Sequence, residues 1–147
     1  MSNWFSNFLP FDQPLVVEGI AFTCVETYYQ AMKSEDKEDW KKIAAMTASQ
    51  SKYAGRNVKI RKDWESIKDD VMLTALLHKF GRGTTWRQKL KDTTGEIVEW
   101  NYWHDNYWGR CTCPACANLK QKNMLGVLLM RIREYLVTGK TWDVPKP

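Results

Sequence analysis

Between Trp64 and Lys79 the apolar residues Ile67, Val71 and Leu76, continued by Phe80, recur at helical intervals. Asp63 stands where an N-cap is needed, and Gly81 and Gly83 end the run. The stretch 123–136 carries a second stripe, made by Leu125, Leu128, Leu129, Ile132 and Leu136. Shorter helices are expected over 24–34, through Val25, Tyr28, Tyr29 and Met32, and over 36–45, opened by acids and carrying Trp40, Ile43 and Ala44. Two more are expected over 47–54, ending at Gly55, and over 86–90. Strand patterning is confined to a hairpin around Gly19, with arms at 15–17 and 20–22, and to residues 96–100. Residues 1–14, with Pro10 and Pro14, read as an ordered aromatic loop, and Pro145 and Pro147 mark a frayed tail at 139–147. The expected fold is therefore mostly α (α+β), one domain over residues 1–147 with a small β element.

A chain of 147 residues can bury a core without disulfides, and 44% hydrophobic with 27% charged residues is a globular balance. No apolar run approaches the roughly 20 residues of a membrane span, so no membrane partner is expected. The start has neither a charged n-region nor an apolar h-region, which predicts a cytoplasmic protein whose four cysteines are thiols or metal ligands. A net charge of +5 favours phosphate-bearing partners, nucleotide or nucleic acid alike, although Lys and Arg form no long basic run. Eight tryptophans exceed what a small core needs; each is either a core anchor or a flat surface on which a nucleobase stacks.

Four constellations carry candidate chemistry. Glu26, Gln30 and Lys33 share one face of the first helix, an acid and an amine two turns apart with an amide between them. Thr23 to Glu26 also reads as a T-x-x-E capping box, which would reduce Glu26 to a helix starter. From Glu99 to Gly109, five aromatics alternate with Glu, Asn, His and Asp, either as a binding loop or as a mini-core in which Asp105 makes turn hydrogen bonds. Gly126 stands in the first turn of the last helix, where it costs about 1 kcal/mol relative to Ala, so something approaches that backbone closely. Another helix or a ligand would explain it; free N–H groups there suit a phosphate, with Asn123 as the cap. Cys111, Cys113 and Cys116 form C-x-C-x-x-C, three soft ligands for a structural zinc that His104 or the distant Cys24 would complete.

Taken in order, these segments resemble the NADAR (YbiA-like) family. The resemblance runs through Phe5-Ser6-Asn7-Phe8, Phe22-x-x-Val25-Glu26-x-x-Tyr29-Gln30-Ala31-x-Lys33, Gly55-Arg56 and Arg61-x-Asp63-Trp64. It continues through Val71-Met72, Lys79-Phe80, Val98-Glu99, Asp105-x-x-Trp108-Gly109 and Asn123-x-Leu125-Gly126-x-x-Leu129-Met130-x-x-Arg133, covering about residues 5–136. The cysteine loop departs from it, since many relatives carry a Gly-rich stretch there.

The resemblance implies an N-glycosidase that cleaves a ribose C1–N bond without a catalytic cofactor. Some members act on phosphoribosylamino intermediates of riboflavin synthesis; others remove ADP-ribose from guanine in nucleic acid and act as antitoxins to ADP-ribosyltransferase toxins. The segment from Glu99 to Gly109 looks closer to the second branch, so ADP-ribosylated nucleic acid or an ADP-ribose-like nucleotide is the expected partner. A binding module without turnover is the non-enzymatic alternative. On this resemblance Glu26, Lys33 and Asp105 are the catalytic residues. Substrate contacts fall to Phe5, Ser6, Asn7, Tyr29, Gln30, Arg56, Trp103, Trp108, Gly109, Asn123 and Gly126.

Overall fold

The computed structural model describes residues 3–140, whose contacts divide into two units, residues 3–87 and the residues from Gln88 onward. As the helical stripes predict, the architecture is mostly α with two small sheets. No helix among the described residues is long and apolar enough to cross a membrane.

In the first unit a 3-10 turn (Asn3–Phe5) leads into an antiparallel hairpin of β1 (Pro10–Val17) and β2 (Ile20–Cys24). Glu18 and Gly19 both take positive φ, the turn geometry whose twist matches that of the flanking strands. Strand β1 begins at Pro10, five residues earlier than the expected 15–17. The prolines misled: the register shifts between Pro10 and Leu15, so Pro14 falls where the regular ladder is interrupted.

Helix α1 (Val25–Ala31) is buried at all seven positions and packs against β2 and three helices. These are α2 (Lys37–Ala44), α3 (Ala48–Ala54) and α4 (Trp64–Lys79). Asp36 caps α2 by accepting from the Glu38 N–H, and Thr47 with Gln50 forms a reciprocal capping box on α3. Asp63 stands at the start of α4 as expected but does not cap it; Arg61 binds both its carboxylate oxygens, at 2.6 and 3.1 Å. Helix α5 (Thr85–Asp92) is longer than the expected 86–90, and Asp12 accepts from its first N–H at 2.6 Å.

The second unit is held less by ladders than by side-chain amides. Where a strand over 96–100 is expected, only β3 (Trp100–Asn101) forms, parallel to β4 (Arg110–Cys111). The preceding residues pair with a side chain instead: Asn123 donates to the Ile97 carbonyl at 2.8 Å and accepts from the Glu99 N–H at 2.9 Å. Asn123 is 1% exposed and takes positive φ at the head of α6 (Met124–Thr138). Leu125, Leu128, Leu129 and Ile132 are buried as expected, whereas Leu136 is half-exposed. Close approach explains two glycines: a Cβ on Gly126 would lie 2.0 Å from the Ile97 carbonyl oxygen, and one on Gly109 2.1 Å from that of Glu99.

Removing the Asn123 amide leaves the buried Ile97 carbonyl and the part-buried Glu99 N–H without this partner, at a cost of about 1–3 kcal/mol for a fully buried group. Asn123→Leu should therefore lower the urea midpoint strongly. Asn123→Gly, which keeps the positive φ without strain, should still lose stability. Unchanged stability in the Gly variant would show that Asn123 serves the backbone conformation alone.

Candidate active site

The first helix begins one residue later than a Thr23 cap requires. Cys24 is the N-cap, and the Thr27 hydroxyl closes the turn by donating to the Cys24 carbonyl at 3.0 Å and accepting from its N–H at 3.4 Å. Glu26 is thus released from the capping role that the T-x-x-E pattern offers. Its backbone N–H donates to the Asn7 carbonyl at 3.1 Å, and its carboxylate Oε1 accepts from Gln30 Nε2 at 2.8 Å. Both side chains are buried, Glu26 at 7% exposure and Gln30 at 5%. A solvated helix face, the ordinary fate of such residues, is excluded here.

Helix α1 stops at Ala31, short of the expected residue 34, so Lys33 lies in the tight turn that follows. The turn is held by the Lys33 N–H to Gln30 carbonyl bond, and the Lys33 carbonyl accepts from the Arg61 N–H at 2.8 Å. The Lys33 ammonium lies 5.4 Å from the centre of the Tyr29 ring. Burial holds the Lys33 amine below the ordinary lysine range; Glu26 counters this, while the nearby Arg56 and Lys68 add to it. Lys68 was not among the sequence candidates. It belongs to α4, is paired with Glu65 at 2.5 Å, and only the packing of α4 on α1 brings its charge to bear.

The N-terminal motif divides by role. Phe5 is a core residue at 6% exposure, its ring tilted against that of Trp4. Ser6 supplies a backbone carbonyl to the buried Lys79 ammonium at 2.8 Å. Asn7 is half-buried, donates weakly to the Met72 sulfur at 3.8 Å, and its Oδ1 is a buried acceptor with no hydrogen-bond donor. Gln30 Oε1 is orphaned in the same way. Buried acceptors without protein donors are positions where a water, an ion or a ligand group can complete the hydrogen bonding; Gln30 Oε1 lies against Gly55. Tyr29 is buried against Trp64, and Arg56 is exposed just past α3.

In the second unit, Asp105 makes the turn hydrogen bonds that were its alternative reading. Its Oδ1 accepts from the Tyr107 and Trp108 N–H groups at 3.2 and 2.9 Å. Asn101, 4% exposed, holds the same loop by donating to the Asp105 carbonyl at 2.8 Å and accepting from the Asp105 N–H at 3.1 Å. Trp108 is half-buried, while Trp100, Tyr102 and Trp103 are exposed. Trp40 and Trp64, by contrast, are core anchors.

The expected phosphate site at the start of α6 is otherwise engaged. The Met124 and Leu125 N–H groups donate to the Tyr107 and Trp108 carbonyls at 2.9 and 3.0 Å. Asn123 and Gly126 are occupied by the protein's own backbone, as described above. The three loop cysteines do converge, and the residue that joins them is His104, not Cys24.

The sequence matches the NADAR domain over residues 1–137. It is 34% identical to N-glycosidase YbiA of Shigella flexneri over 92% of this chain and 82% of that protein. With N-glycosidase Npun_R5314 of Nostoc punctiforme it shares 33% identity over 88% and 83% of the two chains. The chloroplastic riboflavin biosynthesis protein PYRR of Zea mays is 32% identical, over 90% of this chain and 23% of its own length. The NMR structure of E. coli YbiA aligns with a TM-score of 0.75 at 34% identity, covering 92% of this chain and 79% of that one. The mostly helical fold is thus shared with a solved relative, and the relatives include proteins named N-glycosidases. The chain belongs to the NADAR family.

Two outcomes follow from the geometry. NMR titration of 13C-methylated lysines should place Lys33 below the exposed lysines. Glu26→Gln removes an opposite charge and should lower Lys33 further, whereas Lys68→Gln should raise it. A folded-state value below the unfolded one means that the unfolded chain binds more protons in between. The Lys33 contribution therefore opposes folding at neutral pH and is relieved as pH rises through the folded value towards the ordinary lysine value of 10.5. Separately, Asp105→Asn keeps an Oδ1 acceptor for the turn while removing the charge. Its melting temperature should be unchanged, so that any loss of turnover reports on the carboxylate itself.

Proposed function

We propose that this chain is an N-glycosidase that hydrolyses the bond between a ribose C1 and an amino nitrogen. We further propose that its substrate is ADP-ribose carried on the amino group of guanine in nucleic acid. The observation that carries the catalytic part is the buried Glu26 acting on a lysine whose basicity is lowered. A module that only binds ADP-ribose or nucleic acid has no need of an acid beside such an amine.

The proposed chemistry starts from the ring-opened imine form of the ribosylamine. The neutral Lys33 amine adds to C1, and Glu26 protonates the departing nitrogen and takes up the proton that Lys33 gives up. The bond from C1 to the base nitrogen breaks, leaving a Schiff base between C1 and Lys33 Nζ. One water then adds to C1, the C1–Nζ bond breaks, and the aldehyde of ADP-ribose departs. The orphaned Asn7 Oδ1 and Gln30 Oε1 suit hydroxyl donors of the sugar.

The nucleic-acid substrate is supported by the exposed Trp100, Tyr102 and Trp103, flat surfaces on which bases stack, and by the net charge of +5. A paired ADP-ribosyltransferase toxin would supply such a substrate. The second reading, a phosphoribosylamino-pyrimidine of riboflavin synthesis, is favoured by the similarity to PYRR, a riboflavin biosynthesis protein.

Incubation with an ADP-ribosylated guanine oligonucleotide and with a phosphoribosylamino-pyrimidine separates all three readings. Release of ADP-ribose is expected; release of ribose phosphate alone would move the enzyme to the riboflavin branch, and binding without release would make it a reader. Glu26→Gln should reduce turnover by about 10²–10⁴-fold. Borohydride added during turnover should trap the sugar on Lys33. No adduct, together with an active Lys33→Arg variant, would leave the lysine as a phosphate clamp.

A further inference from the structure

His104 sits in the aromatic loop with φ +70, a left-handed conformation that costs a non-glycine residue roughly 1–2 kcal/mol. That backbone turns its imidazole towards the cysteine loop. His104 Nδ1 lies 3.3 Å from Cys113 Sγ, 3.3 Å from Cys116 Sγ and 3.8 Å from Cys111 Sγ. All four atoms lie within 4.8 Å of one another. With Zn–S near 2.3 Å and Zn–N near 2.0 Å, the edges of a zinc tetrahedron come to roughly 3.5–3.8 Å. The three His104–sulfur distances fall within a few tenths of an ångström of those edges, and no pair among the four atoms exceeds them by more than about 1 Å.

The surroundings suit thiolates. The Cys113 N–H donates to Cys111 Sγ at 3.5 Å, and Asn106 Nδ2 donates to Cys116 Sγ at 3.6 Å. Such N–H···S bonds around a metal orient its ligands and spread their charge. Gln121 holds both ends of the cysteine loop, accepting from the Cys111 N–H and donating to the Cys116 carbonyl at 3.0 Å. Cys111 and Cys116 are buried free thiols.

We propose that His104, Cys111, Cys113 and Cys116 bind one structural zinc ion that ties the aromatic loop to the cysteine loop. Binding releases three thiol protons to solvent, and neutral imidazole completes the set, so the site carries a net charge of −1. Four protein ligands close the coordination sphere and leave no position for water, which makes the ion structural. The inference is independent of the N-glycosidase reading, and its test requires no turnover.

Elemental analysis of the chain, purified under reducing conditions and exposed to zinc, should find about one zinc per chain. His104→Ala and Cys113→Ser should each lose most of it. Should either variant fail to fold, the wild-type chain still decides. Cobalt should give the intense visible absorption of a tetrahedral S3N site. A zinc chelator should lower the melting temperature and make the three loop cysteines alkylate many-fold faster, while Cys24, 3% exposed, serves as the unaffected reference. A zinc-exposed, reduced chain that holds no metal would overturn the proposal. So would loop thiols that alkylate at the same rate with and without zinc, or a disulfide between them.

Discussion

Burying a polar helix on every side is the constraint around which the first unit is built. Seven consecutive residues of α1 are removed from water, among them Glu26, Thr27 and Gln30. Each buried polar group then demands a partner. Thr27 satisfies the cap, Gln30 binds Glu26, and the Asn7 carbonyl receives the Glu26 N–H. The N-terminal segment is thereby fastened to the start of the helix. Its other anchor is Lys79, whose ammonium binds the Ser6 carbonyl from the far end of α4. The acid is thus held by Gln30 of its own helix through the carboxylate and by the N-terminal segment through its backbone N–H.

The same packing prepares the lysine. Partial burial of Lys33 disfavours its charge, and Arg56 and Lys68 add like charges from α3's end and from α4. Glu26 opposes them. An amine that is less basic than usual, yet still in the field of a carboxylate, is one whose neutral form is more readily reached. No single residue creates it; the helix pairing does.

The second unit uses a different device. Asn101 and Asn123 each present an amide to backbone groups, donating to one carbonyl and accepting from an N–H. These two side chains take the place of a longer ladder, and Gly109 and Gly126 let the backbone approach close enough for it. The loop carrying Asp105, Trp103 and His104 is therefore shaped by buried amides rather than by a core of its own.

Helix positions were legible from sequence because apolar periodicity and caps are local, as α2, α3 and α4 show. The convergence of Cys111, Cys113 and Cys116 followed equally from their spacing. Strand extents were not legible: Pro14 disguised β1, and residues 97–99 pair with a distant side chain instead of a strand. The T-x-x-E pattern points to Thr23 as the cap of α1, one residue early, because Thr23 and Thr27 offer the backbone similar hydroxyls and it is Thr27 that closes the turn at Cys24. Whether Glu26 and Lys33 lie in water or in the core, and which cations reach the lysine, depends on what packs over α1. Sequence spacing set which residues share a helix face. Only tertiary packing set the dielectric around them, because burial and charge proximity arise between elements distant in the chain.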